Sequence, residues 1–408
     1  MNTSEFKKYI KGDRIIWMVL IALSCLSLLI VYSSTGALAY RQAGGNTTYY
    51  IMRQIIYQGL GYAAIIVMLN YIPVKFYNKI ANFGLLVAIA FVMLGLVIGR
   101  SGEGTGRTLP LGFISFQPAE LAKVALVIWV ARMLANNQKD DAQLRNSFFK
   151  IITGVGILCA LISFANFSSA VLLMGTAMIM MFVGRIPLKY LGLVFLAGIG
   201  LVLLIYFAAP LLPEGGKFGR IQTVRARIDR HIHGDKASEE GLTQADFAKV
   251  AIYRGGIAGV GAGKSSVSNF MSAAYNDFIY SIIVEEYGLI GGIVVPLLYL
   301  IFLTRGGIII QKCTRTYPAF LATGAVAIII LQAMINMGVS SGALPVTGQP
   351  LPWVSWGGTS QVFTALSFGL ILSVSSETDQ MTKQEVEDNF HPEGALQDED
   401  ILMKNERV

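Results

Sequence analysis

A few ionisable side chains in an otherwise very apolar chain have the clearest capacity for chemistry. Asp277 stands directly before an apolar run, and Ser281 and Glu285 follow at a spacing that puts all three near one helical face. A carboxylate in or beside a membrane span is costly, so it usually serves a function. At a membrane surface such a group can take the proton of an attacking hydroxyl. Asp277 is therefore the candidate catalytic base, although an Asp at this place is also a common helix N-cap.

A second acid and a base lie three residues apart near the start of another apolar run. Glu120 and Lys123 follow Pro118, a residue that suits the first position of a helix. Side chains three apart lie on one helical face and can form an ion pair. The pair either lines a functional site or only lowers the cost of inserting two charges into a membrane. Both interpretations stay open at this point.

The elements that must position these residues are membrane spans. The 408 residues are 54% hydrophobic and 14% charged, with a mean hydropathy of +0.58. This composition excludes two soluble domains and is typical of a polytopic membrane protein. Apolar runs of about 17–25 residues predict an all-α fold with about ten transmembrane helices. The predicted spans are 15–34, 51–70, 82–99, 118–135, 150–166, 168–184, 189–210, 278–303, 317–339 and 359–375.

The distribution of lysine and arginine predicts the orientation of these spans. Basic residues cluster before the first span and in alternate short loops, which indicates that both termini are cytoplasmic. The long loop 211–277, between the seventh and eighth helices, is then external. Residues 1–376 are predicted to form one transmembrane domain, and residues 377–408 an acidic, disordered cytoplasmic tail. The first apolar run is too long for the core of a typical signal peptide, so we expect it to remain as an uncleaved span.

The sequence predicts neither a metal site nor a nucleotide site. The three cysteines are scattered without metal-like spacing, and His231 and His233 have no third ligand in view. Residues 258–265 imitate a phosphate-binding P-loop, but the strand and helix that must flank such a loop are not predicted there. We expect no nucleotide and no nucleic acid as ligand. The basic external loop would instead suit a polyanionic lipid headgroup or a pyrophosphate.

The uncharged stretch from Leu331 to Leu372 contains the most specific motif. Its proline and glycine density forbids a regular helix in the middle of the stretch. An irregular loop at membrane depth is tolerated only where it is buried in protein or lines a cavity. The pattern resembles the signature of the SEDS family, which includes FtsW, RodA and SpoVE. It is carried by Gln332, Asn336, Gly342, Leu344, Pro345, Gly348, Leu351, Pro352, Ser355, Gly357, Gly358 and Ser360.

Four further blocks carry the same resemblance. They are Arg53-Gln54, residues 106–123, the glycine run 255–263 with Gln244 upstream, and residues 276–292. The sequence departs from the family pattern at Thr108 and Ala119, and Asn166 replaces an Asp that much of the family has. No chemistry is therefore assigned to Asn166.

The resemblance implies a peptidoglycan glycosyltransferase that polymerises lipid II at the external face of the bacterial cytoplasmic membrane, with its apolar spans holding the lipid tail. It also implies a class B penicillin-binding protein as transpeptidase partner, together with other divisome proteins. The N-terminal segment is more similar to the division members than to the RodA-like elongation members. A lipid II flippase and a non-catalytic divisome scaffold remain alternatives, and a requirement for a divalent cation such as Mg²⁺ or Mn²⁺ stays open.

The resemblance also assigns residues to the site. Asp277 is the implied base. The implied substrate-binding residues are Arg53, Arg107, Glu120, Lys123, Arg220, Gln244, Ser281, Glu285, Gln332, Asn336, Pro345, Thr347, Ser355, Gly357, Gly358 and Ser360.

Overall fold

Helices form almost all of the described structure. The computed structural model describes residues 11–36, 46–101, 108–111, 114–136, 138, 140–211, 219–233, 243–271 and 274–390. The α-helices are α1 (Arg14–Ser34), α2 (Thr47–Tyr71), α3 (Val74–Ser101), α4 (Pro118–Ala135), α5 (Asp141–Ser163), α6 (Phe167–Val183), α7 (Leu188–Ala208), α8 (Gly219–His233), α9 (Gln244–Gly255), α10 (Ile279–Lys312), α11 (Thr316–Ser340) and α12 (Thr359–Phe390). A short antiparallel hairpin, β1 (Leu109–Leu111) and β2 (Ile114–Phe116), precedes α4.

Ten of these helices coincide with the ten predicted spans, which confirms the predicted fold class. Eight of the ten are long and apolar enough to cross a membrane. The other two are α6, which has 17 residues, and α4, which has 18 residues and carries Glu120, Lys123 and Arg132. The break between the fifth and sixth spans is short, because α5 ends at Ser163 and α6 begins at Phe167. Helices α8 and α9 lie in the loop predicted to be external.

The core of the bundle is built around α11 and α12. In the most apolar 18-residue stretch of each, 72% and 78% of the residues are buried. Helix α11 packs against α4, α6, α10 and α12, and α12 packs against α2. The two central helices are therefore the frame on which the connecting segment 341–358, here called the signature loop, is fixed.

The signature loop has no regular helix between α11 and α12, as its composition predicts. Gly342, Gly348 and Gly358 adopt positive φ angles, which glycine tolerates because it has no Cβ. Trp353 also has a positive φ of 66°, a rare conformation for a bulky residue. Its side chain is 1% exposed, and its indole Nε1 donates to the Ser24 hydroxyl at 2.6 Å. Packing against α1 and α2 thus holds the loop in a strained conformation.

Two boundaries differ from the sequence prediction. Helix α10 extends to Lys312 and is broken at Gly288, where the backbone is not helical (φ 62°, ψ −153°). Helix α12 continues to Phe390, so the predicted disorder is wrong for residues 377–390, and residues 391–408 lie outside the described residues. An ion pair between Arg315 and Glu377 (3.7 Å) ties this helical extension to the start of α11.

Candidate functional site

Polar side chains from the beginnings of four helices line one cavity, here called the polar cavity. Residues of the first turns of α4, α6 and α12 contribute, as do the residues that directly precede α10. The lining residues are Val92, Gln117, Pro118, Ala119, Glu120, Ile162, Ala165, Asn166, Ser169, Asn276, Asp277, Gly348, Gln349, Pro350, Gly357 and Ser360. The predicted base and three of the predicted substrate-binding residues, Glu120, Gly357 and Ser360, therefore share one site.

The helix ends give this cavity a favourable field for anions. An α-helix has a partial positive charge at its N-terminus, where backbone N–H groups point outward. Three such ends, at Pro118, Phe167 and Thr359, border the polar cavity, and a fourth, at Ile279, follows Asp277. Helix N-termini are common binding sites for phosphate groups for this reason.

Backbone contacts with the signature loop fix the segment that carries Asp277. The Asn336 side-chain amide donates to the Asp277 carbonyl at 2.9 Å and to the Gln349 carbonyl at 2.8 Å. The Ser355 hydroxyl donates to the Asn276 carbonyl at 2.7 Å. Asn336 on α11 and Ser355 in the signature loop thus fix the backbone of Asp277 and of Asn276 before it.

The carboxylate of Asp277 lies against Gly348. A Cβ added to Gly348 would lie 3.3 Å from Asp277 Oδ2, so any larger residue would crowd the acid. The N-cap position of α10 belongs to Phe278. The side chain of Asp277 is half-buried and lines the polar cavity.

Glu120 and Lys123 form the predicted ion pair, deep inside the bundle. Lys123 Nζ lies 2.7 Å from Glu120 Oε1, and the two side chains are 5% and 6% exposed. The same ammonium group donates to Gln332 Oε1 at 2.8 Å, and Gln332 Nε2 donates to the Pro350 carbonyl at 2.9 Å. Lys123 does not line the polar cavity itself. It links Glu120, which does, to the signature loop.

Arg53 lies in a cage of aromatic rings. Its guanidinium carbon is 5.5 to 5.9 Å from the ring centroids of Tyr49, Tyr57 and Trp356, and it donates to both tyrosine hydroxyls. Trp356 also contacts Tyr275, with 5.5 Å between ring centroids. The Trp356 and Tyr275 rings thus connect Arg53 to the segment that carries Asp277. Burial raises the pKa of the Tyr275 phenol above its ordinary value.

The glycine run packs onto the break in α10. The N–H groups of Val260 and Gly261 donate to the carbonyls of Glu285 and Glu286 at 2.9 and 3.0 Å, and Leu289 N–H donates to the Gly256 carbonyl at 3.0 Å. A Cβ at Gly255, Gly259 or Gly288 would lie 2.1 to 2.3 Å from backbone oxygens of the opposite segment. Glycine is therefore needed at these positions for the two backbones to touch. The segment that resembles a P-loop follows helix α9, whereas a true P-loop follows a strand.

This packing corrects the predicted helical face of Asp277, Ser281 and Glu285. Glu285 is fully buried, accepts a hydrogen bond from the Ser265 hydroxyl, and lies 3.7 Å from Arg254. Ser281 is also fully buried and donates to the Phe278 carbonyl at 2.7 Å. Neither side chain lines the polar cavity. Asp277 precedes the first turn of α10, so the helical spacing that would align all three does not apply to it.

The remaining predicted residues divide into three groups. Gly358 packs near the Tyr57 ring, and Pro345 and Thr347 lie in the half-buried part of the signature loop. Gln244 begins α9, away from the polar cavity. Arg107 and the side chain of Arg220 lie outside the described residues.

Five polar lining residues were not predicted as site residues: Gln117, Asn166, Ser169, Asn276 and Gln349. Gln349 is buried, and its Nε2 donates to the Ser169 hydroxyl at 2.9 Å, so it bridges the signature loop and α6. Asn166 caps α6 by accepting from Ser169 N–H at 3.2 Å. The sequence signal for Gln349 was its polar side chain between Gly348 and Pro350, in a loop without charged residues. The signal for Asn166 was its place before an apolar run.

The described residues contain no group of three or more His, Cys, Asp or Glu side chains that could hold a metal ion. Mg²⁺ is often held by one or two carboxylates together with substrate phosphates and water. Asp277 could therefore contribute to binding such an ion only together with a phosphorylated ligand.

Several known proteins are similar to this chain over most of its length. The chain is 32% identical over 405 residues to the probable peptidoglycan glycosyltransferase FtsW of Alkalilimnicola ehrlichii, with 94% of each chain covered. It is 31% identical over 372 residues to the protein of the same name from Coxiella burnetii, covering 89% of this chain and 96% of that one. Stage V sporulation protein E of Bacillus subtilis is 29% identical over 374 residues, covering 89% and 96%.

Solved structures share the fold, and a family model spans most of the sequence. A chain of a peptidoglycan synthase complex aligns with a TM-score of 0.70 at 22% identity, and RodA of Thermus thermophilus with 0.64 at 20%. Each covers 90% of this chain and 98% of its own. The family model described as cell cycle protein, which groups FtsW, RodA and SpoVE, matches residues 13–380. The chain therefore belongs to the FtsW/RodA/SpoVE family.

Proposed function

We propose that this protein is a peptidoglycan glycosyltransferase that polymerises lipid II at the external face of the cytoplasmic membrane. The observation that carries the proposal is the position of Asp277, in a cavity bordered by the N-terminal ends of α4, α6 and α12. A carboxylate beside an anion-favouring field suits a reaction that needs a base and releases a pyrophosphate. The names of the FtsW relatives support the same activity.

The reaction assigns one step to Asp277. A sugar hydroxyl of the acceptor attacks the anomeric carbon of the donor, and the bond from that carbon to the pyrophosphate oxygen breaks. The hydroxyl proton passes to the Asp277 carboxylate. The departing undecaprenyl pyrophosphate gains negative charge, which the helix N-termini stabilise. The lipid tails remain between the apolar spans.

Unpaired polar atoms around the signature loop suit the sugar part of such a substrate. Asn276 Oδ1, Thr347 Oγ1, Trp356 Nε1 and Gln361 Oε1 are buried and have no hydrogen-bond partner among the described residues. Buried polar atoms are nearly always satisfied in folded proteins. Asn276 is the member of this set that lines the polar cavity, and sugar hydroxyls, which can both donate and accept, suit a polar side chain of this kind.

The decisive experiment measures what the purified chain does with lipid II in detergent. We expect glycan polymers from the protein alone or with a class B penicillin-binding protein, the partner that the proposal includes. A flippase would move lipid II across vesicles without joining it, and a divisome scaffold would do neither. Transport without polymer, or no reaction with any partner, would overturn the proposal. If the protein acts in septal synthesis, as we propose, its depletion from cells should cause division defects.

The proposal also requires that the polar cavity face outward, with both termini cytoplasmic. Lys264 is exposed and directly follows the glycine run, which packs onto the first third of α10, the helix that begins beside the polar cavity. A Lys264→Cys variant, with Cys25, Cys159 and Cys313 replaced by Ser, should react with an impermeant thiol reagent in intact spheroplasts. Reaction only after lysis would place the cavity in the cytoplasm and exclude this orientation.

A further inference from the structure

Helix α8 (Gly219–His233) is the most strongly amphipathic helix among those described, and the proposed reaction does not use it. It contains four arginines, at positions 220, 225, 227 and 230, against the single acid Asp229. Its large apolar residues are Ile221, Val224, Ile228 and Ile232, at spacings of three and four that form one stripe along the helix.

Contacts with α7 place α8 at the level where that membrane span ends. The Tyr206 hydroxyl, in the last turn of α7, donates to Asp229 Oδ1 at 2.6 Å. The Arg225 guanidinium stacks over the Tyr206 ring at 5.7 Å and pairs with Asp229 at 3.3 Å. The neighbouring Leu204 and Phe207 are 65% and 70% exposed, so they face the bilayer. Helix α8 therefore adjoins a lipid-exposed surface at the membrane boundary.

The exposed part of α8 combines an apolar residue with basic ones. Ile232 is 64% exposed, and Arg230 and His231 beside it are also exposed. Arg230 is opposite the apolar stripe by helical spacing. Helices with a basic polar face and an apolar stripe lie in the membrane interface and bind more strongly to anionic lipids.

We propose that α8 is an interfacial helix that binds the headgroups of anionic phospholipids, with its isoleucine stripe set into the bilayer surface. The net positive charge of the helix selects an anionic over a zwitterionic headgroup. The continuity with the lipid-facing end of α7 makes lipid, rather than a protein segment, the occupant. Arg227 donates to the Val346 carbonyl at 3.1 Å, so the bound helix contacts the signature loop.

Depth in the membrane is tested with spin labels in nanodiscs of phosphatidylcholine and phosphatidylglycerol. In a chain whose three native cysteines are replaced by Ser, labels are attached at Ile232→Cys and Arg230→Cys. The comparison labels are Leu204→Cys, on the lipid-facing side of α7, and Lys264→Cys, exposed on the glycine run. The label at 232 should be more accessible to oxygen, which concentrates in the bilayer, than to a water-soluble nickel complex, as should the label at 204. The label at 230 should be accessible to the nickel complex, as should the label at 264. A label at 232 that the nickel complex reaches as well as 264, or that neither reagent reaches, would overturn the proposal.

Headgroup choice is tested with photoactivatable phosphatidylglycerol and phosphatidylcholine in the same nanodiscs. Crosslinks mapped to residues 219–233 should favour phosphatidylglycerol. One basic residue near a membrane surface is worth about fivefold in binding, so Arg230→Gln should lower the preference by about that factor. The matched control Lys264→Gln, which removes one exposed charge elsewhere, should leave it unchanged. Equal crosslinking by both lipids, or equal loss in both variants, would contradict the inference.

Discussion

Helices α7 and α12 both cross the membrane, yet they are buried to very different degrees. In the most apolar 18-residue stretch of α7 only 6% of the residues are buried, against 78% in α12, although α7 is the more hydrophobic of the two. In α12 the buried residues include Ser360, Gln361 and Ser367, whereas Leu191 is the one buried residue of α7.

The difference in burial follows from the lipid bilayer that surrounds the helices. Lipid tails are as apolar as leucine, so burial of α7 against protein would gain little, and packing and polar contacts decide which helices are central. Helix α12 begins at the polar cavity and is held by Gln361, whose amide donates to the Ser355 carbonyl at 2.6 Å. The comparison predicts that substitutions at polar contacts near the cavity are severe, and that substitutions on the outer helix are mild.

The largest effect on stability is expected for Lys123→Ala. It leaves Glu120 as an uncompensated buried charge, which typically costs about 3–5 kcal/mol. The loss should appear as a lower thermal midpoint in detergent, and the Glu120→Ala/Lys123→Ala double variant should be less damaged than the sum of the single variants. The exposed Lys264→Ala is the matched control and should stay within about 0.5 kcal/mol. Small losses of stability in the single variants that simply add in the double variant would show that the ion pair does not stabilise the fold.

An intermediate effect is expected for Gly255→Ala, at the contact between the glycine run and broken α10. The added Cβ would lie 2.1 Å from the Val284 carbonyl oxygen. Overpacking of this kind typically costs about 1–3 kcal/mol, and movement of α10 should also lower glycan synthesis. Gly307→Ala is the control, because a Cβ there meets nothing within 4 Å. Equal behaviour of the two variants would show that the glycine run does not hold α10.

The smallest effect is expected for Leu204→Ala on α7. Leu204 is 65% exposed, so the variant should melt within about 0.5 kcal/mol of the parent. Leu370→Ala, at a position of α12 that is 1% exposed, should cost about 2–5 kcal/mol because it leaves a cavity. If the two leucines gave similar losses, the comparison between outer and central helices would fail.

Sequence alone predicted the spans because each is a long apolar run, and it predicted the Glu120–Lys123 contact because spacing along one helix fixes it. It also predicted an irregular signature loop, since proline and glycine leave no alternative. These features depend on residues close together in the chain.

Features that depend on distant segments were missed. Glu285 was assigned to the substrate site, but the break at Gly288 and the packed glycine run enclose it. Gln349 was missed because its partner, Ser169, is far away in sequence. The sequence predicted disorder for the C-terminal end of α12 because its composition is acidic. The ion pair between Glu377 and Arg315 joins residues far apart in the chain, so the local sequence does not show it.

The central claim is that Asp277 is the catalytic base, and glycan synthesis by Asp277→Asn tests it most directly. Asn has nearly the same volume but cannot accept the proton at neutral pH, and loss of a general base typically costs about 10²–10⁴ in rate. The control is Asp246→Asn, which removes one carboxylate from the capping box of α9, away from the polar cavity. We expect Asp277→Asn to insert, purify and melt like the parent yet form no detectable polymer from lipid II, while Asp246→Asn remains active. Near-normal polymerisation by Asp277→Asn would contradict the account.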